Sequence, residues 1–143
     1  MYKFLASLAV GFAALFLSGC ASVGEQPVKT VYHINTDVDT VHQILGNVNN
    51  HLNADPKAKI IVVTHSKGVN FLLQEAKDSK GREFSGMVSD LASKSVEFRV
   101  CNNTLVKNKI DPGRLLLETK IVPSGVAEVA RLQASEGYVY LKP

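Results

Sequence analysis

Hydrophobic positions along this chain switch repeatedly between a period of about two or a short solid run and a period of 3.6. KTVYHIN (29–35) is rich in β-formers and reads as a strand. Val41, Ile44, Leu45, Val48 and Leu52 follow at i, i+3, i+4, i+7 and i+11, which is one face of a helix. Asp37 or Asp39 is placed to cap that helix, and Asp55-Pro56 stops it. KIIVVTH (59–65) is a continuous apolar run, the pattern of a strand buried on both faces of a parallel sheet. Gly68 to Ala76 reads as a short helix, SKGRE (79–83) as a polar loop, and Phe84, Met87, Val88 and Leu91 as a further helical stripe. VEFRVC (96–101) is the third strand, Thr104 to Lys109 a brief helix closed by Asp111-Pro112-Gly113, and LETKIV (117–122) the fourth strand. Ser124 can cap a helix running through Ser135, Gly137 ends it, and YVYLK (138–142) makes a fifth strand.

The predicted order is β-α-β-α-α-β-α-β-α-β. Helices that alternate with short strands imply an α/β fold: a three-layer α/β/α sandwich around a five-stranded, mostly parallel sheet. One domain spanning residues 29–143 accounts for the whole pattern, with no internal repeat and no low-complexity tract.

The N-terminus follows a different rule. Lys3 precedes an almost wholly apolar run from Phe4 to Leu17, too short to cross about 30 Å of hydrocarbon comfortably, so residues 1–19 read as a signal peptide. Leu17-Ser18-Gly19-Cys20 resembles the bacterial lipobox, which implies cleavage before Cys20 and acylation of its sulfur. Residues 20–28 then form a short tether, and several acyl chains would hold the protein on a membrane where one would not. Ala21 after that cysteine favours the outer membrane, which places the domain in the bacterial periplasm. The net charge of +3 falls by one without Lys3; it suits solubility, and no basic stripe suggests nucleic acid.

The chain has two cysteines, so lipidation of Cys20 leaves Cys101 without an intramolecular partner. A lone thiol in an oxidising compartment is buried and inert, paired between chains, or kept for its reactivity. Ligands of open parallel sheets bind outside the carboxyl ends of the strands. The predicted ends carry Asn35, His65, Cys101 with Asn102, and Ser124, while His33 lies two residues before Asn35 and so shares its face. Asn102 or Asn103 is suited to cap the helix from Thr104. That would set the Cys101 sulfur, open to solvent, beside unsatisfied N–H groups that favour a thiolate. Cys101 is therefore the candidate nucleophile, with His65 as its catalytic neighbour. His33, Asn35, Asn102 and Ser124 are candidate ligand-binding residues.

Three other chemistries are disfavoured. Thr64-His65-Ser66-Lys67-Gly68 resembles a serine-hydrolase elbow without its first glycine, and no histidine follows Ser66 to complete the triad. Lys67-Gly68 lacks the glycines of a phosphate loop. No close-spaced ligand pair marks a metal site, and His42 and His51 lie beside the apolar helix face, where they read as solvated; neither metal nor cofactor is expected.

VYHINTD, NVNNHLNADPKAKIIVVTHSKGVNFLL, VEFRVCNNTL and IVPSGVAEVARLQASEGYVYLKP together resemble the DsrE/DsrF-like sulfur-relay superfamily over nearly all of residues 29–143. The resemblance implies a five-stranded parallel sheet, assembly into dimers to hexamers, and a cysteine at the position of Cys101 that accepts a persulfide and passes sulfur on. Known relays work in the cytoplasm beside partner subunits, whereas this chain carries an export signal. Three readings stay open at this level: a sulfur carrier acting through Cys101 with a donor or acceptor protein, a non-catalytic small-molecule or anion-binding module with Cys101 in the pocket wall, and a structural homo-oligomeric lipoprotein.

Overall fold

The computed structural model describes residues 26–143. The signal peptide, Cys20 and most of the tether lie outside the described residues. The strands are β1 (Lys29–Ile34), β2 (Lys59–Thr64), β3 (Glu97–Cys101), β4 (Thr119–Val122) and β5 (Val139–Leu141). The α-helices are α1 (Val41–Ala54), α2 (Ser85–Ser93), α3 (Asn102–Asn108) and α4 (Gly125–Glu136). All strands pair in parallel, in the order β4-β3-β2-β1-β5. The sheet is thus fully parallel, and β1 lies at its topological switch point: β2 to β4 build outward on one side, and β5 returns to the other.

The pairing register explains how the two faces differ. Val31 stands opposite Ile61 and Ile61 opposite Glu97, so odd-numbered residues of β1, β2 and β3 share one face and even-numbered residues share the other. The even face carries Tyr32, Ile34, Ile60, Val62, Phe98 and Val100 into the main core, where α1, α2 and Leu105 of α3 cover them. The odd face buries Val31, Ile61 and Val63 beneath Val129 and Leu132 of α4, with Cys101 buried at the end of β3. Each such aliphatic side chain contributes on the order of 1.5–3 kcal/mol when fully buried. One helix cannot cover five strands, and the rest of the odd face is charged: Glu97, Arg99 and Lys120 lie there beside α4.

Those charges fix α4 in place. The Arg99 guanidinium donates to Glu97 Oε2 (2.9 Å) and to Glu128 Oε1, while Arg131 donates to both oxygens of Glu128 and to Glu136. Glu128 is buried, and the guanidinium bonds hold its carboxyl below the usual carboxylate range against the opposing effect of burial. The ends of α4 match the sequence reading. Ser124 Oγ accepts the Ala127 N–H at 3.4 Å, and Gly137 closes the helix with φ of 71°.

Two local expectations fail. The segment after β2 is a 3₁₀ turn over Ser66–Leu72, after which the backbone pairs with residues 114–116 instead of continuing as a helix. Val69, Phe71 and Leu72 are all buried, a density that no single helical stripe supplies. His42 and His51 are also not solvated. The His42 side chain is 12 % exposed and stacks on Phe84 at 4.4 Å between ring centroids, and His51 Nδ1 bonds the Tyr32 hydroxyl at 3.0 Å. Among the described residues, no helix is long and apolar enough to cross a membrane.

Gly68 presses this 3₁₀ turn onto the end of β1, and a Cβ there would stand 2.1 Å from the Ile34 carbonyl oxygen. Gly68→Ala should therefore cost about 3 kcal/mol or more, read as a lower urea midpoint with an unchanged slope. A stability within experimental error of wild type would show that the turn is not packed this tightly.

Candidate functional site

Three strand ends and the start of α4 converge on one point. Cys101 closes β3, His65 follows β2, and α4 begins at Gly125 against both. A Cβ at Gly125 would lie 3.2 Å from Cβ of Cys101, 3.2 Å from Cβ of His65 and 3.1 Å from the Thr64 carbonyl oxygen. The missing side chain lets the backbone of α4 approach the sulfur. The Cys101 thiol is 5 % exposed, which corrects the expectation of a sulfur open to solvent. Its surroundings are nonetheless not inert. Burial pushes the thiol up, but the backbone of Gly125, the hydroxyl and backbone of Thr104 and the backbone of Asn103 favour negative charge on the sulfur and bring it below an ordinary thiol.

The source of that acidity differs in detail from the sequence reading. The helix α3 begins at Asn102, and Cys101 itself is its N-cap, with no side-chain cap. Asn102 is thus inside the first turn and caps nothing. Two helix starts, α3 and α4, aim donors at the sulfur. Thr104 contributes twice to the arrangement, because its Oγ1 also accepts the Ser66 N–H at 3.0 Å. That bond helps hold Ser66 at φ of 50°, a left-handed conformation unusual for a residue with a side chain.

The histidines form a separate part of the same corner. His33 and His65 have ring centroids 4.7 Å apart. His33 Nδ1 bonds the Tyr140 hydroxyl at 2.8 Å, and His65 Nδ1 bonds Ser66 Oγ at 2.9 Å. The Nε2 atom of each ring is buried and bonds to no protein group. Burial lowers the pKa of His33, with His65 and Lys142 adding to the effect; for His65, burial is again the larger cause and Lys142 the second. Both rings are therefore neutral at neutral pH. His65 lies beside Cys101 but does not serve it as a positive charge, since neutral backbone and hydroxyl donors stabilise the thiolate instead.

Of the residues singled out from the sequence, Cys101, His65, His33 and Ser124 gather here. Asn35 does not. β1 ends at Ile34, so the alternation that would put Asn35 on the face of His33 no longer applies. Asn35 lines a cleft of about 550 Å³ on the α1 side, together with Gln43 and Asn47 of α1, Lys67 and Lys142. Cys101 is not in the wall of this cleft. Thr104 and Tyr140 are the members of the corner that sequence reasoning missed. Gly125 was legible only as a residue at the fourth strand end, not as the backbone packed against Cys101. Among the described residues, no three His, Cys, Asp or Glu side chains converge as a metal site.

The profile of the DsrE/DsrF-like family matches residues 29–143, the whole of the folded domain. The chain belongs to the DsrE/DsrF-like family. Its fold is similar to that of MTH1491, a protein of unknown function from Methanobacterium thermoautotrophicum. The TM-score is 0.72 at 35 % identity, over 81 % of this chain and 99 % of that one. It is also similar to the ychN protein from E. coli, with a TM-score of 0.61 at 13 % identity and the same coverage, a likeness of fold alone. No curated protein matches the chain. Family membership agrees with the resemblance carried by the cysteine-after-strand segment VEFRVCNNTL and by the tail from Ile121.

Two measurements test this corner. Gly125→Ala should push α4 away from β3 and lengthen its N–H contact with the sulfur, and Thr104→Val removes a hydroxyl donor. Thiolate absorbance titration should then show the Cys101 pKa higher in each variant than in wild type, and unchanged values would rule out the donor cradle. The histidines set a pH dependence of stability. Their folded pKa values lie below the unfolded value of about 6.5, so the unfolded chain binds more protons as pH drops. Their contribution is complete above about pH 6.5 and is lost as pH falls below it toward the folded pKa values. His33→Gln should flatten that acid limb in urea titrations, and an equally steep limb in the variant would show that other groups carry it.

Proposed function

We propose that this DsrE-like protein is a sulfur carrier in which the Cys101 thiolate takes up and passes on one sulfur atom. The observation that carries the reading is a buried thiol at the start of α3 with the glycine start of α4 packed against it, where Gly125, Thr104 and Asn103 favour negative charge on the sulfur. Such donors stabilise negative charge on sulfur, and the thiolate is the nucleophile. The step needs no oxidant. Cys101–S⁻ attacks the outer sulfur of a donor persulfide R–S–SH, the donor's S–S bond breaks, and R–S⁻ leaves with the electron pair while Cys101 becomes a persulfide. Reversal toward an acceptor thiolate completes the transfer.

His65, neutral and adjacent, can accept a proton from an incoming thiol before transfer. The small exposure of Cys101 supports a carrier role, since oxidation follows thiolate character and exposure together and a sheltered persulfide is less readily lost. On this reading the donor persulfide and the acceptor thiol both reach the edge where β2, β3 and α4 meet. Acylation of Cys20 would hold the domain at a bacterial membrane facing the periplasm. Homo-oligomer formation has support in the apolar edge beside β4, where Leu117 is 97 % exposed and Val106 and Ile121 stand open nearby.

The test is mass spectrometry of the purified chain after incubation with a low-molecular-weight persulfide. Wild type should gain the mass of one sulfur on Cys101, reversible by dithiothreitol, and return it to an added thiol acceptor. Cys101→Ser should gain none, and Thr104→Val should load about tenfold more slowly, the order expected for loss of one donor to a charged sulfur. Wild type that stays unmodified while retaining a depressed thiol pKa would reject the carrier role.

A further inference from the structure

The cleft outside β1 is separate from the thiol corner, and its lining is unlike the rest of the surface. It opens where the strand order reverses, with β2 and β5 on either side of β1, the position at which open parallel sheets take their ligands. Its volume of about 550 Å³ lies in the range of small-molecule sites. Three carboxamides face it: Asn35 from the end of β1, and Gln43 and Asn47 from successive turns of α1. None of the three makes a side-chain hydrogen bond among the described residues, so each has donors and an acceptor to offer.

The charges are as informative. Asp37 and Lys67 pair with each other at 3.0 Å across the rim, which leaves little net charge on that wall. Lys142, on the segment after β5, has no ion pair among the described residues, and its ammonium lies close enough to affect His33 and His65. A cleft with several amide groups and one ammonium without an ion pair fits a ligand with several hydroxyls and a single negative charge. Ile44 and Pro143 supply apolar wall against which the carbon skeleton of such a ligand can lie.

We propose that this cleft binds a small hydroxylated monoanion of the sugar-acid or hydroxy-acid class, with its anionic group on Lys142 and its hydroxyls on Asn35, Gln43 and Asn47. The site makes no use of Cys101 and stands whether or not the thiol carries sulfur.

Gluconate serves as the probe, with sorbitol as the uncharged polyol and propionate as the charge without hydroxyls. Calorimetry on the full chain should show gluconate binding at millimolar or tighter affinity, with sorbitol and propionate each about tenfold weaker. Lys142→Ala should weaken gluconate about fivefold and leave sorbitol unchanged, as expected for one exposed ion pair. The double variant Gln43→Ala/Asn47→Ala should weaken gluconate and sorbitol together. All three substituted side chains are exposed, so these variants should fold, and unchanged circular dichroism would establish it. No gluconate binding, equal binding of gluconate and sorbitol, or indifference to Lys142→Ala would each overturn the proposal. Cys101→Ser should bind gluconate as wild type does, which separates this result from the sulfur-loading test.

Discussion

The close approach of the α4 N-terminus to the ends of β2 and β3 is the contact on which the rest of this molecule depends. It exists because residue 125 has no side chain, and because Arg99 and Arg131 hold Glu128 one turn further along the same helix. That geometry brings the Gly125 N–H to the Cys101 sulfur and sets Cys101 and His65 against the same backbone. The structure thus lowers the thiol pKa with neutral dipoles alone. Fixed dipoles of this kind need no counter-charge, and they are stronger where water is excluded.

Burial and acidity usually oppose one another at a cysteine, because burial disfavours the charged form. Here the donors outweigh burial, and the result is a sulfur that is both sheltered and ready to ionise. Oxidation follows thiolate character and exposure together, and this thiol has little exposure. The neutral imidazoles of His33 and His65 belong to the same economy of charge. Their Nε2 atoms are buried and meet no protein group.

The odd face of the sheet shows how function and packing divide the surface. The even face is a continuous aliphatic and aromatic core under α1 and α2 and carries most of the stability. The odd face has one helix, a small apolar patch, an ionic network and the thiol corner. A thinner cover leaves room for reactive and polar groups at the strand ends without disturbing the main core. The cleft lined by Asn35 and Lys142 opens on the α1 side of the carboxyl edge, and the Lys142 ammonium lies near enough to act on both histidines of the thiol corner.

The five strands, four of the five expected helices, the parallel sheet, the Ser124 cap and the Gly137 stop were legible in sequence because each depends on local chemistry: hydrophobic period, a hydroxyl before a helix, a glycine after it. The choice of Cys101 was legible too, as a lone sulfur at the end of a strand. Only the tertiary structure decided that this sulfur is buried, that its donors come from two helices, and that Gly125 makes room for one of them. It also separated Asn35 from His33, because strand alternation ends where the strand ends. Contacts between residues more than twenty positions apart, such as Cys101 with Gly125 or Ser66 with Thr104, leave no periodic trace in a single chain. They arise when strand register and helix packing are set together.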